Sequence, residues 1–116
     1  MAGTLNETAF VTLNGSGNGT VKLGPASARE TWHPTIASVR TDLGVAVVNE
    51  AQCSIYIGQF ATQENFRDQT FTGSSGDSTD KVSGNPVKLG DFIWAIWSGG
   101  DPGRRASLNV IGTKDV

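Results

Sequence analysis

Phe92-Ile93-Trp94-Ala95-Ile96-Trp97, followed by Ser98-Gly99-Gly100-Asp101-Pro102-Gly103 and then by Ala106-Ser107-Leu108-Asn109-Val110-Ile111, decides how the rest of the chain is read. Side chains alternate across a strand, so Phe92, Trp94 and Ile96 share one face while Ile93, Ala95 and Trp97 share the other. Both faces are apolar, which places this strand in the middle of a sheet. In the last run Ala106, Leu108 and Val110 alternate with Ser107 and Asn109, the pattern of a strand with one buried and one wet face. The Gly/Asp/Pro connector between the two runs predicts a hairpin with a longer loop. At least one of Trp94 and Trp97 then faces inward, and Trp94 and Ile96 join the expected core.

Working outward, Ala51 to Gly58 is another strand, with Cys53, Ile55 and Ile57 on one face and Ser54 and Tyr56 on the other. Cys53, Ile55, Ile57, Leu108 and Val110 complete the expected core. Near the N-terminus, Ala9, Val11 and Leu13 alternate with Phe10 and Thr12 after a polar arm spanning residues 1–7. Asn14-Gly15-Ser16-Gly17-Asn18-Gly19 then predicts a hairpin into a strand over Thr20 to Leu23, since glycines accept the positive φ that tight turns require. Ile36 to Arg40 reads as a strand, with Pro34 suited to its start or to an edge. Val45-Ala46-Val47-Val48 fits either a short strand or a packed loop. The polar stretch from Gln59 to Asp80 carries Phe60, Phe66 and Phe71 and reads as a long ordered loop, the favoured contact surface. Short strands over Asp80 to Ser83 and Val87 to Leu89 lead back to the opening stretch.

Seven or eight short strands with almost no helix predict an all-β fold. The expectation is an antiparallel β-sandwich, of which the jelly roll is one form, in a single domain over residues 8–116 behind the 1–7 arm.

At 116 residues the chain suits one core without metal or disulfide staples, and its 15 glycines and 4 prolines speak for many turns. Nine basic against eleven acidic residues, a net charge of −2, supply no footprint for nucleic acid. No apolar run is long enough to span a membrane, and the first residues lack the charged and apolar regions of a signal peptide. The expectation is synthesis in the cytoplasm, with the protein either staying there or leaving inside an assembly, and no membrane partner. The single Cys53, in phase with Ile55 and Ile57, reads as a small core residue.

The residue types for catalysis are sparse. His33 is the only histidine and stands directly before Pro34; no Gly-x-Ser-x-Gly elbow accompanies it, so catalytic residues are expected to be none. One Cys and one His do not close a zinc site. Asp77, Asp80 and Asp101 lie in Gly-rich segments that calcium would favour, but their spacing matches no dedicated loop, and neither metal nor cofactor is expected. A phosphate cradle at residues 15–19 lacks the Lys-Ser/Thr and the helix that such cradles need. Trp32 and Tyr56 are candidates for stacking on a glycan, against the commoner use of aromatic residues in packing. Phe66, Phe71, Asp77, Asp80, Arg104 and Arg105 form the candidate interaction surface.

Leu23-Gly24-Pro25, Thr31-Trp32, Ile36-Ala37-Ser38-Val39, Ala51-Gln52-Cys53-Ser54-Ile55-Tyr56-Ile57-Gly58, Asp77-Ser78-Thr79-Asp80 and Ile96-Trp97-Ser98-Gly99-Gly100-Asp101-Pro102-Gly103 together resemble a family of small virion proteins from tailed bacteriophages of actinobacteria. The resemblance runs from about Val21 to Gly112, and its most specific part is Trp-Ser-Gly-Gly-Asp-Pro-Gly. It implies a non-enzymatic, all-β structural protein of the particle, most often a minor tail protein, with capsid decoration as the alternative and a carbohydrate-binding module as the rival from another class. Other virion proteins and further copies of the same chain are the implied partners, and the virion is the implied location.

Overall fold

The computed structural model describes residues 2–41, 47–72 and 76–116. Among the described residues nine strands run in order: β1 (Ala2–Thr12), β2 (Gly19–Leu23), β3 (Thr31–Arg40), β4 (Ala51–Gly58), β5 (Phe66–Thr72), β6 (Asp77–Thr79), β7 (Val87–Lys88), β8 (Phe92–Ser98) and β9 (Arg105–Asp115). They form two antiparallel sheets. The first has the order β1-β9-β3-β6, with β7 beside the opening residues of β3, and the second has the order β2-β8-β4-β5.

The two orders run in step: β1 corresponds to β2, β9 to β8, β3 to β4 and β6 to β5. Consecutive strands therefore tend to cross from one sheet to the other, and the chain wraps as a long hairpin folded over itself. This is the wrapping of a jelly roll. The sandwich closes over Leu5, Trp32, Val39, Leu108 and Val110 from the first sheet and Cys53, Ile55, Ile57, Ile93, Ala95 and Trp97 from the second, all buried.

Several expectations change here. The Gly/Asp/Pro connector is not a hairpin, because β8 pairs with β2 and β4 while β9 pairs with β1 and β3. With both ladder edges of each strand already taken, the connector must arch between sheets. The segment from Asn14 to Gly19 is likewise an arch, since β1 and β2 belong to different sheets. Residues 2–7 are no free arm: they extend β1 and pair with Val110–Asp115 of the same chain. The long loop from Gln59 resolves into a 3-10 turn (Gln63–Asn65), then β5 and β6, while residues 80–84 form a bend and turn instead of a strand. Residues Val45 and Ala46 of the undecided apolar patch lie outside the described residues.

Pro34 sits inside β3, a central strand of its sheet, at a place that is locally an edge, and the register explains how. Ala37–Val39 pair with β6 and Thr31–Trp32 pair with β7, leaving the middle of β3 without a partner on that side. On the other side the ladder with β9 slips between Pro34 and Ile36. A bulge at that point absorbs the proline's missing N–H. Pro34 is opposite Gly112, where any Cβ would run into the His33 carbonyl and the Pro34 backbone.

Candidate functional site

Trp94 and Ile96 are not core residues. Along β8 it is Ile93, Ala95 and Trp97 that are wholly buried, and Phe92, Trp94 and Ile96 lie half-buried on the outer face of the second sheet. The ladders place their neighbours. Lys22 is opposite Trp94, Trp94 is opposite Tyr56, and Tyr56 is opposite Phe66, so one row crosses all four strands of the sheet. The adjacent row runs Thr20, Ile96, Ser54, Gln69, and the next brings Ser98, Gln52 and Phe71 together.

The rings of this face are held in fixed relations. Tyr56 and Phe66 meet edge to face at 5.7 Å between centroids, and Phe92 meets Trp94 in the same manner at 5.9 Å. The Trp94 indole donates from Nε1 to the Gly58 carbonyl at 3.1 Å. Lys22 Nζ lies 4.3 Å from the Phe92 ring centre and 5.0 Å from that of Trp94, within cation–π range. Beside them Gln69 Nε2 donates to Ser54 Oγ at 3.3 Å.

At one end of the sandwich the two arches are bonded to each other. Leu13 N–H donates to the Arg104 carbonyl at 2.8 Å and Gly103 N–H to the Leu13 carbonyl at 2.9 Å; Gly100 N–H donates to the Gly17 carbonyl at 3.0 Å. Gly99 N–H completes the staple on Asn18 Oδ1 at 3.2 Å. Gly17 has φ +74°, and a Cβ there would collide with the Gly100 backbone.

The buried Asp101 ties a third segment to this corner. Its carboxylate accepts the Val48 and Asn49 amides, each at 2.8 Å, and Asn49 Nδ2 at 3.0 Å, and it pairs with Arg104 at 3.5 Å. The Val48 amide is the strongest influence on its acidity; with Asn49 and the Arg104 guanidinium it outweighs desolvation and holds the carboxyl below the ordinary carboxylate range. The Gly-Gly-Asp-Pro-Gly sequence is thus occupied in holding the corner.

The six residues of the expected interaction surface do not converge. Phe66 and Phe71 share the aromatic face, Phe71 being 60% exposed. Asp77 lies at the open edge between the sheets and accepts the Thr70 hydroxyl and the Ser78 amide, which lower its pKa in that order. Asp80 is exposed beside a turn. Arg104 belongs to the corner. Arg105 stacks on Phe10 of the first sheet, 4.1 Å from the ring centre.

Of the two glycan candidates, Trp32 is buried at 3% exposure, with Nε1 donating to Glu30, and is not a surface platform. Tyr56 is on the aromatic face. Cys53 is fully buried, and desolvation pushes its thiol up to about 12. His33 pairs with Asp115 at 2.9 Å on the surface. Among the described residues no three His, Cys, Asp or Glu side chains are grouped as metal ligands.

The row itself escaped the sequence reading. Alternation marked both faces of β8, but only the ladders show that Lys22, Trp94, Tyr56 and Phe66 line up. Among the described residues the surface has no enclosed cavity, so the candidate site is an open face. The chain defines a jelly-roll sandwich with one aromatic outer face. No protein-family model matches it, and no curated protein matches it.

Proposed function

We propose that this protein is a non-enzymatic structural subunit of a tailed-phage virion, tail-associated and repeated as a homo-oligomer within a larger assembly. The supporting observation is the use made of Trp97-Ser98-Gly99-Gly100-Asp101-Pro102-Gly103, the stretch that carries the resemblance to phage virion proteins. Its tryptophan is wholly buried, its glycines take part in bonding two arches, and its aspartate fastens a third segment. A motif spent on a rigid corner suits a scaffold. The jelly roll also serves viral capsid domains, which is an analogy of fold and adds support only at that level.

Assembly contacts would use the sandwich's edges and loops. β1 is an eleven-residue edge strand without proline, and an unpaired strand edge is a template for another chain. Glu7, exposed between Leu5 and Ala9 in the inward phase, is the kind of charge that restrains indiscriminate edge pairing.

The test is the copy number of this chain in purified virions by quantitative mass spectrometry, relative to the capsid and tail-tube proteins. A few copies per particle is the expected result for a tail-associated subunit. Near-stoichiometry with the capsid protein would instead assign it to head decoration, and its absence from particles would overturn the reading.

A further inference from the structure

We propose that the folded chain modifies itself at Asn14, whose side-chain amide closes on the Gly15 nitrogen, expels ammonia and becomes aspartate or isoaspartate, while Asn18 is spared. Asparagine is a thermolabile residue, and a following glycine, without a Cβ, leaves its own nitrogen free to approach the amide. In this chain Asn precedes Gly at positions 14 and 18 and nowhere else. Unfolded, the two are near equals, so it is the fold that separates them.

The turn at Asn14 is arranged for the reaction. Asn14 Oδ1 accepts the Ser16 amide at 2.9 Å and the Asn18 amide at 3.1 Å. Attack at Cγ drives negative charge onto that oxygen, and two N–H groups already aimed at it stabilise the charge as the donors of an oxyanion hole do. Among the described residues nothing accepts a hydrogen bond from Gly15 N–H or Asn14 Nδ2, so neither the nucleophile nor the leaving group has a bond to surrender. Asn14, Gly15 and Ser16 are exposed to water, and no atom lies within 4 Å of where a Gly15 Cβ would stand.

Asn18 is held differently. Its Oδ1 accepts one amide, that of Gly99 on the other arch at 3.2 Å. Gly19 is laddered to Trp97, and the Leu13 and Val11 side chains lie 3.0 Å from the place of its absent Cβ. Bringing the Gly19 nitrogen onto Asn18 Cγ disturbs both the start of β2 and a bond between the arches.

The step balances with water as the one co-reactant. The Gly15 nitrogen bonds to Asn14 Cγ and gives up its proton; the Cγ–Nδ2 bond breaks, and the amide nitrogen takes up a proton and leaves as ammonia. Water then opens the cyclic imide at either carbonyl, giving aspartate or isoaspartate. Isoaspartate adds a methylene to the main chain next to Leu13, whose N–H and carbonyl both bond the facing arch. The product therefore loosens the corner.

This inference stands apart from the virion reading, which copy number in particles tests; here the purified full chain suffices. It is incubated in mildly alkaline buffer, both folded and in urea, and its peptides are mapped by mass spectrometry while released ammonia is assayed. In the folded chain Asn14 is expected to convert roughly tenfold faster than Asn18, and in urea the two convert at similar rates. Gly15→Ala, for which the fold has room, slows conversion at Asn14 and leaves the melting temperature in place. Equal conversion of Asn14 and Asn18 in the folded chain overturns the proposal, as does the same preference for Asn14 in urea. So does an Asn14 that reacts in urea and is stable in the folded chain, which would show that its two hydrogen bonds lock the amide.

Discussion

The two outer faces of the sandwich are built differently. On the first sheet Thr8, Asn109, Ser38 and Ser78 lie in one cross-strand row, with Asn109 Nδ2 donating to Asn6 Oδ1 and Thr8 Oγ1 and the Ser38 and Ser78 hydroxyls bonded at 2.8 Å. On the second sheet the corresponding rows contain Trp94, Tyr56, Phe66, Ile96 and Phe71. A polar ladder satisfies itself by hydrogen bonds and leaves the sheet indifferent to cover. An aromatic row covers itself sideways, ring against ring, and leaves those side chains only half-buried. Apolar residues on both sides of β8 thus mark a strand between two neighbours in its sheet, without a second layer over its outer side.

The sharpest way to break this contrast is within β8 itself. Trp97→Ala should cost about 3–5 kcal/mol in urea denaturation, as truncation of a wholly buried aromatic residue does. Trp94→Ala should cost on the order of 1–2 kcal/mol, in keeping with partial burial. Equal losses would mean that the inner and outer sides of the strand have been exchanged.

The corner that sets the two faces relative to each other gives a smaller effect. Gly17→Ala should lower stability by about 1–2 kcal/mol or more, since it forces a left-handed conformation and a backbone collision. Gly15→Ala, with no atom within 4 Å of the new Cβ, should leave the melting temperature nearly unchanged. On the polar face, Asn109→Ala should cost about 1 kcal/mol, the net value of a partly exposed hydrogen-bonding group. A loss as large as that of Trp97→Ala would show that this face is not the indifferent one.

Two further outcomes sharpen the account of the interior and the corner. The folded Asp101 carboxyl lies below its ordinary value of 3.8, so its contribution is fully present above that pH and is lost as pH falls through the lower folded value. Asp101→Asn should remove that share of the acid dependence of stability; an unchanged acid limb in pH-resolved melts would show that the carboxylate does not fasten Val48 and Asn49. Cys53, with its thiol raised to about 12, should resist a thiol reagent at neutral pH until the protein is unfolded. Rapid labelling of the native chain would place that inner face in contact with water.

Much of the fold was legible because alternation is local. Cys53, Ile55 and Ile57 in β4, and Leu108 and Val110 in β9, carry their burial in their period of two, and their inward orientation needs no knowledge of partners. Turn residues likewise located most strand ends. The β5 strand was harder to see: Phe66 and Phe71 lie five positions apart and so fall on opposite sides of a regular strand, and it is the bulge opposite Ile55 and Tyr56 that returns both to the outer face. Residues 2–7 lack an apolar alternation strong enough to announce a strand, and become one through the ladder with β9.

The sequence by itself determined an all-β chain, the two-sided character of β8 and the one-sided character of β9, because these depend on side-chain period alone. Tertiary structure decided that the glycine-rich connectors at 14–18 and 99–104 arch between sheets, that Trp97 enters the core while Trp94 stays outside, and that Trp94, Tyr56 and Phe66 form one row. Those outcomes depend on which strands hydrogen-bond to which. Nearly identical turn chemistry serves a hairpin or an arch, and the choice falls to whichever pairing buries one continuous core.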